Sequence, residues 1–217
     1  MKYLFKKFLI SVIVVFGFYY IFFYSHIEEN IKLIFKVIPM LLIIILAASQ
    51  KGIKKYHLLI VVGLIFCMVG DYTLQWFLVG LTSFLIGHIF YIFAFSSTNE
   101  RQVPSWAKII LLVYGASMAM WIAGTVLSSG DVVLGIAVIA YISIILMMGW
   151  TAIRTGSTFA IIGALLFIAS DSYLAINKFV MPLSFSHEII MLTYYSAQLL
   201  IALSILQYSE IRSKVLQ

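Results

Sequence analysis

Two aspartates lie inside long apolar stretches of the chain, where carboxyl groups are rarely found. Asp71 occurs in the segment VGDYTLQW and Asp171 in the segment ASDSYLAINKF. A carboxylate at the centre of a bilayer costs at least about 2.5–3.5 kcal/mol, so acids within membrane spans usually face a bundle interior and serve a function. In an apolar site, desolvation and mutual repulsion oppose two negative charges, so one carboxyl is expected to stay protonated. Such a pair is suited to general acid and base catalysis.

Three kinds of chemistry use a carboxyl pair of this type. The first is acid-catalysed opening of an acetal-like or enol-ether bond, comparable to the use of two carboxyls in glycosidases. The second is proton relay in a proton-coupled membrane carrier of a lipid or small amphiphile. The third is a metal-dependent intramembrane lipid hydrolase with Asp71, His88 and Asp171 as ligands. Zinc sites commonly use several His or Cys ligands, so the sequence favours a site without a metal or cofactor.

The composition shows which elements must position these acids. Of the 217 residues, 64% are hydrophobic and only 10% are charged, which leaves too few charged side chains to cover a soluble protein of this size. A helix needs about 20 apolar residues to cross the hydrocarbon, and eight stretches qualify. We therefore predict one all-α integral membrane domain over residues 1–217, with spans near 8–25, 33–50, 57–77, 80–97, 107–127, 132–153, 157–177 and 187–208. The first stretch is expected to be a retained helix rather than a cleaved signal peptide.

The basic residues predict how the eight spans are oriented. With both termini in the cytoplasm, only Lys32, Lys36 and Lys178 of the 14 Lys and Arg residues fall on the outside. This bias follows the positive-inside rule and predicts a multi-pass protein of the cell membrane, with no nucleic-acid partner. The segments around Asp71 and Asp171 also align without gaps, which is typical either of a four-plus-four parallel repeat of helices or of two similar apolar helices. The oligomeric state is left open.

The predicted topology brings further polar side chains to the depth of the aspartates. Each aspartate precedes the outer end of its span by about six residues, roughly 10 Å at about 1.5 Å per residue. His88 enters its span from outside to nearly the same depth, and the inner halves of the spans are nearly all apolar. This one-sided distribution disfavours a carrier. A lone His or Gln in a helix bundle is often a hydrogen-bonding residue only, and that alternative stays open.

At these positions the sequence resembles the YhhN-like lysoplasmalogenases, a family of multi-span membrane enzymes. The resemblance covers nearly the whole chain and rests on short motifs in a fixed order: Lys36 with Pro39, Gly70-Asp71 with Leu74, Gly87-His88 with Tyr91, Gly163-Ala164 with Phe167, Ser170-Asp171 with Leu174-Ala175, Asn177-Lys178-Phe179, and Tyr195 with Gln198. It implies hydrolysis of the vinyl-ether bond of lysoplasmalogens to a fatty aldehyde and glycerophosphoethanolamine or glycerophosphocholine.

The resemblance also implies that Asp71 and Asp171 are the catalytic residues. We expect a supporting set to orient the acids or a water molecule: His88, Tyr91, Ser170, Tyr195 and Gln198. A hydrogen bond from Ser170 would favour Asp171 as the ionised carboxyl. At the outer rim we expect contacts to the headgroup of the lysophospholipid from Lys36, Asn177 and Lys178, because lysines bind phosphate as point charges.

Overall fold

A computed structural model describes residues 2–98 and 101–215, and these form an all-helical bundle without strands. Eight helices in this part of the chain are long and apolar enough to cross a membrane. They are α1 (Lys2–Phe22), α2 (Glu29–Ser49), α3 (Lys54–Thr73), α4 (Phe77–Ser96), α5 (Ser105–Ser128), α6 (Val132–Arg154), α7 (Thr158–Phe179) and α8 (Ser186–Val215). The predicted fold class and number of helices are confirmed.

The helix ends differ most from the prediction at the two ends of the chain. Helix α1 begins at Lys2 rather than near residue 8, and α8 continues to Val215 rather than ending near residue 208. Hydropathy detects only the apolar part of a helix, whereas backbone hydrogen bonding continues through the basic residues that flank it. A 3₁₀ turn, Tyr24–His26, lies between α1 and α2.

Close packing between neighbouring helices builds the core of the bundle. The most extensive contacts join α3 with α4 and α7 with α8, the two pairs that a four-plus-four repeat would make equivalent. At Gly163 of α7, an added Cβ would lie 3.0 Å from the Ala197 carbonyl oxygen and 3.1 Å from the Ile201 amide nitrogen of α8. Only a glycine allows two helix backbones to approach this closely. The repeat itself remains a prediction.

Large apolar side chains cover the outside of the bundle as well as its core. Leu4, Leu112 and Val133 are 72%, 69% and 73% exposed. A protein in water avoids a continuous apolar surface of this kind, whereas lipid tails solvate it. Together with the eight apolar helices, this surface identifies a multi-pass membrane protein. The cytoplasmic position of the termini stays a prediction.

Candidate functional site

Asp71 lies near the end of α3, and its carboxyl contacts two polar groups. It is 3% exposed. The Tyr194 hydroxyl of α8 donates to Oδ2 at 2.6 Å, and the Lys36 ammonium of α2 lies 3.4 Å from Oδ1. Lys36 also donates to the backbone carbonyl of Asp71 at 3.1 Å. Lys36, which was expected to contact the headgroup, is therefore a basic partner of Asp71.

The local structure of α2 explains how Lys36 is held in place. Pro39 interrupts the hydrogen bonding of this helix because it has no N–H to donate to the carbonyl of Phe35. On the same disturbed turn, the carbonyl of Lys36 accepts a hydrogen bond of 2.7 Å from the Tyr195 hydroxyl of α8. Tyr195 thereby fixes the backbone that carries the lysine.

Asp171 lies on α7, and its carboxyl accepts a hydrogen bond from the Tyr141 hydroxyl of α6. The Ser170 hydroxyl, expected beside Asp171, instead donates to the carbonyl of Ile190 at 3.0 Å. Tyr141 thus occupies the role that the sequence assigned to Ser170. The hydrogen bond that would favour an ionised Asp171 therefore comes from Tyr141 and not from Ser170.

Both aspartates line one apolar cavity whose wall is formed by residues of α2 to α8. Most of its remaining wall is hydrocarbon, and includes Leu81, Phe84, Ile122, Val138, Ile145 and Phe179. Met118 and Ile122 reach the cavity from a stretch of α5 that contains a π-helical turn, Ala119–Ala123. Such turns are frequent near functional sites, because the widened helix redirects its side chains.

A second, more open cavity of about 510 Å³ meets the first one at Asp71. We call it the vestibule, and its wall is polar and aromatic: Tyr20, Tyr24, Glu29, Lys32, Leu33, Lys36, Asp71, Tyr72, Leu74 and Gln75. Three of these residues, Lys36, Asp71 and Leu74, also line the apolar cavity. The Asp71–Lys36 pair therefore lies at the boundary between an apolar and a polar compartment.

Of the predicted supporting residues, Ser170 lines the apolar cavity, whereas His88, Tyr91 and Gln198 lie behind its wall. His88 is fully buried, and its ring centroid lies 4.5 Å from that of Phe167 and 5.5 Å from that of Tyr141. Neither ring nitrogen of His88 has a hydrogen-bond partner among the described residues. Tyr91 donates to Gln198 Oε1 at 2.6 Å, and both side chains are fully buried. These three residues form a layer that supports the residues of the cavity wall.

The three residues expected at the headgroup have different surroundings. Lys36 lines both cavities. Asn177 accepts a hydrogen bond of 2.8 Å from the Leu183 amide, and so closes the linker between α7 and α8. Lys178 is exposed, with its ammonium 5.5 Å from the ring centroid of Phe77. Asn177 and Lys178 are not among the residues that line the apolar cavity or the vestibule.

Tyr141 is the site residue that sequence reasoning missed, and Tyr194 was not assigned a role. Tyr141 lies in the apolar segment VIAYISIIL, where a tyrosine resembles an ordinary core residue. The only available signal was its depth, because it enters from the same side as His88 and to a similar level. A buried hydroxyl needs a hydrogen-bond partner, and at this depth the aspartates are the available acceptors.

Among the described residues, no three His, Cys, Asp or Glu side chains form a group that could hold a metal ion. Asp71, His88 and Asp171 therefore do not constitute a ligand set in this arrangement. The two carboxyls instead contact the hydroxyls of Tyr194 and Tyr141 and the ammonium of Lys36.

The fold and the site define a multi-pass helical membrane protein with two carboxyls in an apolar cavity that shares Lys36, Asp71 and Leu74 with a polar vestibule. The chain belongs to the YhhN family, whose family model matches residues 31–205. The match contains both aspartates, Lys36, Tyr141 and Tyr194, and it leaves out α1. The predicted family resemblance is confirmed.

Lysoplasmalogenases of several mammals are similar to this chain. TMEM86A of Bos taurus is 32% identical over 166 residues, which cover 70% of this chain and 66% of the relative. TMEM86B of Homo sapiens is 36% identical over 148 residues, 67% of this chain and 62% of the relative. TMEM86B of Sus scrofa is 32% identical over 180 residues, 82% of this chain and 76% of the relative. The chain thus spans slightly less than two thirds of the first two relatives. No solved structure matches it.

Proposed function

We propose that this protein hydrolyses the vinyl-ether bond of lysoplasmalogens, releasing a fatty aldehyde and glycerophosphoethanolamine or glycerophosphocholine. The observation that carries the proposal is the position of Asp71 at the boundary between the apolar cavity and the polar vestibule. A lysoplasmalogen has one alkenyl chain, and its vinyl ether joins that chain to a polar glycerophosphate. The names of the mammalian relatives support the same substrate class.

The two compartments match the two ends of this substrate. The alkenyl chain lies in the apolar cavity, and the headgroup lies in the vestibule. The vinyl ether is then beside the carboxyls, because Asp71 lines both compartments and Asp171 lines the apolar one. Contacts with the alkenyl chain and with the headgroup hold the vinyl ether in the reactive position. Contacts that are remote from the reacting bond increase the reaction rate in this way.

The contacts of the two carboxyls support different roles for them. Asp71 faces the Lys36 ammonium and accepts from Tyr194, and both contacts favour a negative charge. Asp171 has no ammonium partner among the described ion pairs and accepts from Tyr141. We therefore assign Asp171 as the proton donor and Asp71 as the carboxylate.

The reaction follows from these roles. The Asp171 carboxyl gives its proton to the β-carbon of the vinyl ether, and the π electrons of the double bond form the new C–H bond. The resulting oxocarbenium ion is stabilised by the negative charge of Asp71. Water adds to the α-carbon and loses a proton to a carboxylate, which gives a hemiacetal. Cleavage of its C–O bond, with proton transfer to the glycerol oxygen, releases aldehyde and alcohol.

The experiment uses purified protein in detergent micelles with a lysoplasmalogen, and it follows fatty aldehyde release with and without a chelator. Aldehyde release that survives chelation is the expected result. Release that is lost on chelation would overturn the assignment of the aspartates as acid and base, and would make them metal ligands. No aldehyde from folded protein would contradict the hydrolase and favour a proton-coupled carrier.

We also propose that the protein resides in the cell membrane with both termini in the cytoplasm, so that the vestibule opens outward. The distribution of Lys and Arg supports this orientation. A lysophospholipid could then reach the site from the outer leaflet while its headgroup stays at the interface. Accessibility of a cysteine introduced at the exposed Gln75 to a membrane-impermeant reagent, in intact cells, measures the orientation.

A further inference from the structure

We infer that the vestibule is a binding site for a zwitterionic phosphodiester headgroup, with its phosphate on Lys32 and its ammonium group at Glu29. This inference rests on the proposed function and adds the recognition of the headgroup to it. Lys32 was not among the residues expected from sequence to contact the headgroup. The arrangement of charges and rings in the vestibule carries the inference.

The vestibule holds one cation and one anion side by side, above the Asp71–Lys36 pair. The Lys32 ammonium lies 2.7 Å from Glu29 Oε1 and 4.4 Å above the centroid of the Tyr24 ring. The His187 ring stacks on the Tyr24 ring with 4.0 Å between centroids, and this contact holds the Tyr24 ring in position. A phosphodiester with a terminal ammonium carries the complementary charges. The aromatic wall suits its N-methylated form as well, through cation–π contact.

The distance between Lys32 and Lys36 along α2 is similar to the distance between the ether oxygen and the phosphate of a lysophospholipid. Lys32 and Lys36 are four residues apart, so they lie on the same helix face, about 6 Å apart along the axis. Lys36 marks the level of the candidate reaction centre, because it contacts Asp71. In the substrate, the ether oxygen and the phosphate are separated by the three carbons of glycerol, a comparable distance. A phosphate on Lys32 therefore leaves the vinyl ether beside the aspartates.

The ion pair between Lys32 and Glu29 does not prevent ligand binding. The Glu29 side chain is 82% exposed, whereas that of Lys32 is 16% exposed. Ion pairs with an exposed member contribute little to stability, so exchanging the Glu29 carboxylate for a phosphate costs little. Glu29 can then turn to the ammonium group of the ligand. The volume of the vestibule, about 510 Å³, lies within the usual range for small-ligand sites of about 300–1,000 Å³.

The experiment measures kcat and KM from aldehyde release with two substrates. One is an alkenyl-glycerophosphoethanolamine, and the other is the alkenylglycerol with the same chain and no phosphate. The variants are Lys32→Gln and Lys32→Arg, with Lys178→Gln as the rival phosphate contact. Lys55→Gln is the matched charge control, because Lys55 is exposed at the start of α3 and lines neither cavity.

We expect Lys32→Gln to raise KM for the phospholipid by about tenfold, the effect of losing one charge-assisted hydrogen bond, and to leave kcat nearly unchanged. Its KM for the alkenylglycerol should stay at the wild-type value, and Lys32→Arg should restore phospholipid binding. Equal effects of Lys32→Gln on both substrates, or no effect on either, would overturn the inference. A phosphate-selective loss in Lys178→Gln without one in Lys32→Gln would also overturn it.

A binding measurement separates this inference from the proposed function. Wild-type protein and the same variants are titrated with a non-hydrolysable alkyl lysophosphoethanolamine, with the free headgroup glycerophosphoethanolamine and with inorganic phosphate. Weaker lipid binding by Lys32→Gln than by Lys55→Gln supports the headgroup site even if no aldehyde is released. Unchanged lipid binding by Lys32→Gln overturns it even if the enzyme is active. Equal competition by inorganic phosphate and glycerophosphoethanolamine would contradict recognition of the ammonium group.

Discussion

Lys36 and Asp71 contact each other at two points, since the lysine ammonium lies 3.4 Å from the carboxyl Oδ1 and donates to the backbone carbonyl at 3.1 Å. The residues belong to neighbouring helices and line both compartments of the site. A buried carboxylate is stable only with a partner, so this contact keeps a charged group available inside an apolar bundle. It also distinguishes Asp71 from Asp171.

Removing the ammonium should therefore disable Asp71. We expect Lys36→Met to lower kcat by about 100-fold, because breaking a buried pair leaves an uncompensated charge at a cost of about 3–5 kcal/mol, and the carboxyl then stays protonated. Lys36→Arg keeps the charge and should retain more activity than Lys36→Met. Kinetics of aldehyde release by detergent-purified protein measure the difference. Equal activity of the two variants would contradict an electrostatic role for Lys36.

Each aspartate should be required for turnover but not for membrane insertion. Asp71→Asn and Asp171→Asn should each lower kcat by at least about 100-fold, the lower range for a general acid or base. Asp131→Asn is the matched control, because Asp131 caps α6 by accepting from the Leu134 amide at 3.0 Å, and asparagine caps helices equally well. Full activity in either purified active-site variant would rule out the two-carboxylate mechanism.

The tyrosine hydroxyls that bind the carboxyls should affect kcat more than KM. We expect Tyr141→Phe and Tyr194→Phe each to reduce kcat by about tenfold, because each change removes one hydrogen bond that positions a carboxyl. The aromatic rings remain, so substrate binding should change little. Tyr19→Phe is the control, since Tyr19 is 42% exposed on the outside of the bundle. A rise in KM without a fall in kcat would point to substrate binding instead.

The apolar cavity should limit which alkenyl chains are accepted. Met118 lines the cavity, whereas Met120 on the same stretch of α5 is 73% exposed. Met118→Trp should lower kcat/KM for long-chain substrates more than for short-chain ones, because the larger ring fills space that the chain occupies. Met120→Trp should leave the chain-length profile unchanged. Identical profiles for both variants would show that the chain lies elsewhere.

The close approach of α7 and α8 at Gly163 should make this glycine important for stability. Gly163→Ala should lower the thermal unfolding temperature in detergent, because the new methyl group meets backbone atoms of α8, with a cost of about 1–3 kcal/mol. Gly124→Ala is the matched control, because nothing lies within 4 Å of an added Cβ there. It should be neutral or slightly stabilising, since alanine favours helix. Equal unfolding temperatures for the two variants would contradict this packing argument.

The sequence by itself determined the helical membrane class, the number of helices, the family and the burial of Asp71. These properties are local, because the length and hydropathy of each stretch report whether it can cross a bilayer. The sequence could not determine where α1 begins and α8 ends, because helical hydrogen bonding of the backbone continues beyond the apolar residues.

Only the tertiary structure decided which polar side chains contact each other. Ser170 is next to Asp171 in sequence but bonds the Ile190 carbonyl, whereas Tyr141, 30 residues away, reaches the carboxyl. Lys36 was expected at the rim, and the structure adds its contact with Asp71. Asn177, expected at the headgroup, holds a linker. The depth of a residue in the membrane follows from its position along its helix. The rotation of each helix about its axis and the identity of its neighbours depend on how the eight helices pack. This packing decides which polar side chains contact each other.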